Sequence, residues 1–256
     1  MYASNTSNGA CVRISTAATP TNLGTVSLLV QWSTTGVEYS ATKGFTTTTS
    51  SVEVFNPTTN LSIGNIAVAN PVGCCLNTNG ASVQNDRLIV TGSGGITIIN
   101  ATTNAITAAA TSVGGAISVS PTAGARRIIY IASQDIYVVC DSVFSRLCWL
   151  TPATATTFTA SYFTYSLNRC WSLEYDSTNQ VILVVGTNTT VGSITIASPV
   201  ILWIIDALTR VCLRTIVTNS NCLSASYLDC YVQIKTPGVA IVSAAGSNMS
   251  TEIIYA

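Results

Sequence analysis

The sequence contains no histidine. That removes the side chain that most often serves as a general base near neutral pH, and with it imidazole-dependent serine and cysteine triads. Mixed Cys/His zinc arrangements go too, and none of the nine cysteines sits in a CxxC pair. No metal and no cofactor is therefore expected. Charge is almost as scarce. Ten Lys+Arg and ten Asp+Glu make 8% of 256 residues, where an average chain of that length would carry about 64 charges. There is no basic stripe and no acidic tail, so nucleic acid is not an expected partner. A formal net charge of zero weakens repulsion between copies and favours self-association.

Long hydrophobic runs are missing as well. The greasiest stretches, "VILVV" (181–185) and "PVILWII" (199–205), are strand-length and fall well short of the roughly 18 residues of a membrane-spanning helix. A transmembrane β-barrel would also be built of alternating strands, but the unequal turns and the nine cysteines argue against it. "MYASNTSNGACV" at the N-terminus lacks a basic region and an apolar core, so no secretory signal is expected. Composition favours an extracellular or virion-associated setting without fixing one.

What is present is β-sequence. Val, Ile, Thr and Tyr alternate with a period near two, and Gly, Pro, Asn and Asp punctuate them. Self-similarity then appears at long period. "VEYSATKG" (Val37), "LIVTGSGG" (Leu88), "IIYIASQD" (Ile128), "VILVVGTN" (Val181) and "VAIVSAAG" (Val239) each follow a strand and a polar turn. Each precedes a hairpin such as "SSVEVFNPTTNLSIGNI", "GGITIINATTNAITAA" or "LWIIDALTRVCLRTI", with "DIYVVCDSVFSRLCWL" as a looser form. The unit is four strands. Successive second strands start 51, 40, 53 and 58 residues apart, and passing from Val239 through the C-terminus to Val37 adds another 54 positions. On this reading "STEIIYA" (250–256) is the third strand of a fifth unit, and "GACVRIS" (9–15) supplies the fourth. A β-sandwich, or two stacked all-β modules, is the rival arrangement.

The segment 88–126 resembles the blades of YVTN-type and WD-repeat propellers. "SPTAG" (120–124) is similar to their turn between the innermost and second strands. "INATTN" (99–104), "IDALTR" (205–210) and "FNPTTN" (55–60) are similar to their Asn/Asp-x-x-Thr turn between the third and outermost strands. The WD dipeptide and the Gly-His pair are absent, and Thr122 replaces the usual Asp. The resemblance implies an all-β, five-bladed β-propeller of four-stranded blades, closed by the N-terminal strand completing the C-terminal blade. The blades would lie near 26–68, 73–111, 116–150, 170–217 and 229–256 plus 9–15, in a single domain. It implies no catalytic residues.

Chemistry is thinly represented. Some five-bladed propellers are glycosidases with channel carboxylates, and two carboxyls must approach to cleave a glycoside. Glu174 and Asp229 fall in expected innermost strands, with Asp176 in the turn after one; an exposed turn is the plainer explanation. Trp32 and Trp171 occupy innermost strands and would stack on sugars if exposed at a mouth, or wedge between sheets if not. "GSGG" (92–95) reads as a tight turn, and Arg126–Arg127 as caps of a solvated turn. Cys140 and Cys148 flank the polar turn "DSVFSR" and would form a cross-strand disulfide if the register set them opposite. Sequons occur at Asn5, Asn60, Asn100, Asn188 and Asn248. The sequence thus points to a non-catalytic structural or interaction propeller that partners itself in a larger assembly such as a virion or surface filament. A carbohydrate-binding propeller, and then a glycoside hydrolase, are the alternatives.

Overall fold

A computed structural model of the chain describes residues 2–5, 10–14, 22–26, 37–92, 95–111, 127–141, 146–164, 169–187, 198–222, 230–244 and 250–256. Among the described residues every regular element is a β-strand. At the N-terminus, β1 (Tyr2–Asn5), β2 (Ala10–Ile14) and β3 (Asn22–Val26) form a three-stranded sheet. Five sheets follow. The first is β4 (Val37–Tyr39), β5 (Gly44–Thr47), β6 (Ser51–Phe55) and β7 (Ser62–Ala67). The second is β8 (Pro71–Asn77), β9 (Arg87–Gly92), β10 (Gly95–Asn100) and β11 (Ile106–Thr111). β12 (Ile128–Ile131), β13 (Ile136–Asp141), β14 (Arg146–Thr154) and β15 (Thr157–Phe163) make the third. β16 (Arg169–Asp176), β17 (Val181–Thr187), β18 (Ser198–Asp206) and β19 (Cys212–Cys222) make the fourth. The fifth has three strands, β20 (Cys230–Thr236), β21 (Val239–Ala244) and β22 (Ser250–Ile254). Each is an antiparallel meander in chain order. The chain divides into two compact units, Met1–Pro121 with Thr151–Thr159, and Thr122–Leu150 with Ala160–Ala256.

Three expectations are corrected. β2, expected to close the fifth sheet, is the central strand of the N-terminal sheet. It pairs with β1 along one edge and β3 along the other, which leaves it no edge for β22. In the first sheet Val37–Tyr39 is the first strand and "GFTT" the second; in the third, Ile128–Ile131 is the first and "TFTASYF" the fourth. That sheet spans 128–163 instead of 116–150. The tight turn after β12 is the cause. Asp135 takes φ 50°, as Gln180 takes φ 56° after β16. Tyr130 Oη donates to Asp135 Oδ1 at 2.7 Å, as Tyr175 Oη does to Gln180 Oε1 at 2.9 Å. Both turns join a first strand to a second. Second strands start at 44, 87, 136, 181 and 239, which are 43, 49, 45 and 58 residues apart. The "SPTAG" turn and Trp32 lie outside the described residues.

Packing explains the uninterrupted apolar runs. In the fourth sheet Ile182, Val184, Ile201, Trp203 and Ile205 share a core with Val138, Cys140, Leu147 and Trp149 of the third. The alternate set Val181, Leu183, Val185, Val200, Leu202 and Ile204 packs with Val232, Ala240, Val242 and Ile253 of the fifth. A strand buried on both faces needs apolar residues of both parities. In the first unit, Phe45, Val52, Val54 and Ile66 meet Leu88, Val90 and Ile99 in the same way.

Gly44 faces Phe55 across β5 and β6, and a Cβ there would lie 2.1 Å from the ring. The ring, fully buried, occupies the space a side chain would take. Gly44→Ala should therefore lower stability by about 1–3 kcal/mol through overpacking, read as a shifted denaturant midpoint; Gly44→Ala combined with Phe55→Leu should recover part of the loss. Wild-type stability in the single variant would refute this packing.

Candidate interaction edge

The turn before the outermost strand is built alike in three sheets. Asn56 Oδ1 accepts from Thr58 N and Thr59 N (2.8 and 3.1 Å), Asn100 Oδ1 from Thr103 N (2.8 Å), and Asp206 Oδ1 from Leu208 N and Thr209 N (3.0 and 2.6 Å). A short side-chain acceptor at this position ties down the next backbone donors, which is why Asn or Asp recurs there. Each turn closes with a residue in the left-handed region: Asn60 (φ 59°), Asn104 (φ 62°) and Arg210 (φ 62°). The hydrogen bonds to Thr209 come first in holding the Asp206 carboxyl below its usual range, against burial.

Turns of adjacent sheets are then clasped. In the first unit Lys43 Nζ donates to Ala101 O and Asn104 Oδ1, both at 3.0 Å. In the second unit Gln134 Nε2 donates to Ala207 O at 3.2 Å. Ala101 and Ala207 are equivalent, each following the Asn or Asp of its turn. Arg210 extends to Ser161 Oγ at 3.0 Å, with its guanidinium 4.9 Å from the Trp149 ring centroid.

Asp176 forms a third clasp. Burial alone would raise its carboxyl, yet hydrogen bonds from Tyr255 Oη (2.6 Å), Asn179 Nδ2 (2.7 Å), Gly238 N (3.0 Å) and Asn179 N (3.1 Å) hold its pKa at about 2. The residue is 3% exposed. It joins the β16–β17 turn to the β20–β21 turn and to the residue after β22. Burial and the bond to Asp176 push the Tyr255 phenol up, so it remains a donor.

These contacts decide most of the candidate residues by geometry. The sequence places Asp176 in an exposed turn; it is buried. Glu174 lies on the same face of β16, with Oε2 3.3 Å from Arg127 Nη2; burial raises its pKa first, and Arg127 opposes that. Asp229 and Arg126 lie outside the described residues. Trp171 is 3% exposed and packs among Val185, Leu202 and Cys230, so its ring is wedged between the fourth and fifth sheets and presents no face to a sugar. Cys140 and Cys148 form no disulfide. Cys148 is opposite Val139, and Cys140 opposite Leu147, so the two point to opposite faces of the sheet and cannot be bridged. Burial pushes the Cys148 thiol up to about 12 despite Arg146, which keeps it protonated and unreactive. Sequence reasoning missed Glu53. It is fully buried in β6, accepts from Ser62 Oγ at 3.2 Å, and leaves Oε1 without a hydrogen-bond partner among the described residues.

Most of the exposed large apolar side chains among the described residues lie in or just before an outer strand. Leu61, Ile63 and Ile106 in the first unit, and Leu208, Val211, Leu213 and Val217 in the second, are 42–73% exposed. β7, β11, β15 and β19 together contain one charged residue, Arg214, and no proline. Edge strands usually carry such residues to deter pairing with another chain.

No family model matches the chain, and no curated protein does. Solved structures do. Hydrazine synthase from Kuenenia stuttgartiensis aligns at TM-score 0.59 and 15% identity over 81% of this chain, which spans about half (54%) of that one. A functionally unknown protein from Desulfotomaculum acetoxidans aligns at TM-score 0.68 and 12% identity, over 99% of this chain and 78% of that one. The Neurospora crassa Pan2 WD40 domain aligns at TM-score 0.60 and 10% identity, over 94% and 71%. The fold is that of a distant β-propeller.

The clasp predicts an acid-sensitive contribution to stability. The folded pKa of Asp176 lies below the ordinary 3.8, so its stabilisation is complete above pH 4 and is lost as pH falls towards 2. Asp176→Asn should cost about 2 kcal/mol at pH 7, and the difference from wild type should shrink towards pH 2 in urea titrations. A difference independent of pH would overturn this assignment.

Proposed function

We propose that the chain is a non-catalytic interaction propeller that associates with further copies of itself, as a building block of a larger assembly such as a virus particle or surface filament. The observation that supports this best is the uncharged character of the outer strands. β19 runs for 11 residues and exposes Leu213 and Val217 beside a single arginine. Burying such residues against a partner would remove apolar surface from water without stripping solvent from charges. A chain with 8% charged residues and zero net charge raises little long-range repulsion against that contact.

Light scattering across a dilution series tests the reading. The average mass should rise with concentration in the wild type. Leu213→Lys and Val217→Lys change exposed positions, so each should melt within about 0.5 kcal/mol of wild type while weakening association by about tenfold. A wild type that stays monomeric at every concentration would sink the proposal.

A further inference from the structure

The loop between β8 and β9 contains Asn79–Gly80; the chain's other Asn-Gly pair, Asn8–Gly9, lies outside the described residues. An asparagine followed by glycine is open to attack by its own backbone, because glycine puts no Cβ in the path of the reacting nitrogen. A fold suppresses that reaction by holding the attacking nitrogen in a hydrogen bond or by packing the peptide in place. Neither happens here.

Asn79 is half-buried and Gly80 is exposed. Ala81 N donates to Asn79 Oδ1 at 3.1 Å. That donor draws electrons from Cγ and is already in position for the negative charge that builds on Oδ1 as Cγ is attacked. The attacking group is not held. Asn79 N and Ala81 N each donate to an asparagine Oδ1, but among the described residues Gly80 N donates to no acceptor. A Cβ built on Gly80 would meet nothing within 4 Å, so the peptide has room to turn.

We infer that Asn79 is a self-modification site, and that its conversion to aspartate or isoaspartate loosens the loop's hold on the β14–β15 turn. Gly80 N gives its proton to hydroxide and bonds to Asn79 Cγ; the Cγ–Nδ2 bond breaks, and ammonia leaves with a proton from water. Water then opens the cyclic imide at either carbonyl. The net change is one water taken up and one ammonia released. Opening at the side-chain carbonyl gives aspartate. Opening at the main-chain carbonyl routes the backbone through Cβ and Cγ, and the former Asn79 O becomes part of a free carboxylate. That oxygen begins a series of contacts. It accepts from Ser82 N at 3.0 Å, and Ser82 Oγ accepts from Gln84 N at 3.1 Å and Asn77 Nδ2 at 3.2 Å. Gln84 is fully buried, and its Nε2 donates to Thr154 O at 3.0 Å and Thr157 O at 3.3 Å. An isoaspartyl link displaces the first acceptor and so shifts the residues that place Gln84.

Peptide mapping by mass spectrometry tests this on the full chain, incubated folded and, separately, unfolded in urea. In the folded chain, conversion at Asn79 should exceed that at Asn56, Asn100 and Asn104 by about tenfold or more. It should quicken as pH rises, since the attacking nitrogen must lose its proton. Gly80→Ala places its Cβ in open space, so the variant should melt like wild type while conversion at Asn79 is lost. In the converted fraction, the Ser82 and Gln84 amides should exchange hydrogen faster than in the unconverted chain. Conversion in urea alone overturns the inference, because the fold then protects Asn79, and conversion in neither state overturns it as well. So does conversion of Gly80→Ala at the wild-type rate, since attack by the residue 80 nitrogen is then not the route. Unchanged exchange after conversion overturns the loosening of the loop.

Discussion

Burial of sheets on both faces is the constraint from which the rest of this structure follows. A sheet with one wet face alternates apolar and polar residues; one covered on both sides cannot. β17 is buried at every position from Val181 to Thr187, and its two parities feed two different cores. Each buried Val, Leu or Ile contributes about 1.5–3 kcal/mol, and an unpaired charge at the same place would cost more than that. Charge is therefore confined largely to turns and strand ends, and the chain as a whole can hold little of it. The low charge count is a consequence of the packing.

Cores of Val, Ile and Leu fix the sheets against each other without fixing register, because such side chains are interchangeable in kind. Register comes from polar contacts at the turns. The Asn and Asp acceptors repeat one turn shape, and the clasps from Lys43, Gln134 and Asp176 attach a turn of one sheet to a turn of the next. Asp176 directs its lone pairs to backbone and side-chain donors from three segments, so a carboxylate that resembles a catalytic group by type and spacing is a fastening by partner. Trp171 follows the same logic. Its position on an innermost strand is visible in sequence, but the ring's surroundings belong to another sheet.

How much is legible in the sequence varies with the range of the signal. The all-β class, the four-strand unit and the Asn/Asp-x-x-Thr turns are local patterns, and sheets 2 and 4 fall within a few residues of their expected places. Strand order in sheets 1 and 3 differs from expectation because "VEYSATKG" and "IIYIASQD" look like second strands by hydrophobicity alone. What distinguishes the latter is the tight turn that follows, with Asp135 in the left-handed region, and nothing in "ASQD" announces it. Cys140 and Cys148 show the same limit at finer scale. A one-residue difference in register moves a side chain to the opposite face, and sequence spacing does not resolve one residue. The expected closing strand fails for a different reason. "GACVRIS" has the composition of a fourth strand, but β1 and β3 compete for the same edges and lie next to it in the chain, so the loop to be closed is short and the local pairing is favoured.

Edges are where this architecture leaves a choice. Once both faces of a sheet are covered, the remaining unpaired backbone lies along its outermost strand, and most proteins guard it with charge, proline or a bulge. Here β7, β11 and β19 do carry irregular pairing to the strand beside them, yet apart from Arg214 their exposed residues are uncharged, with Ile63, Ile106, Leu213 and Val217 among them. The bulge at Leu213, between the Ile204–Arg214 and Ile205–Cys212 pairs, turns an extra apolar side chain to solvent instead of a polar one. The same packing that drives charge out of the faces does not require its absence from the edges, since an edge side chain can reach water without desolvation. Apolar outer strands are thus not required by the fold, and the self-association proposed above would account for them.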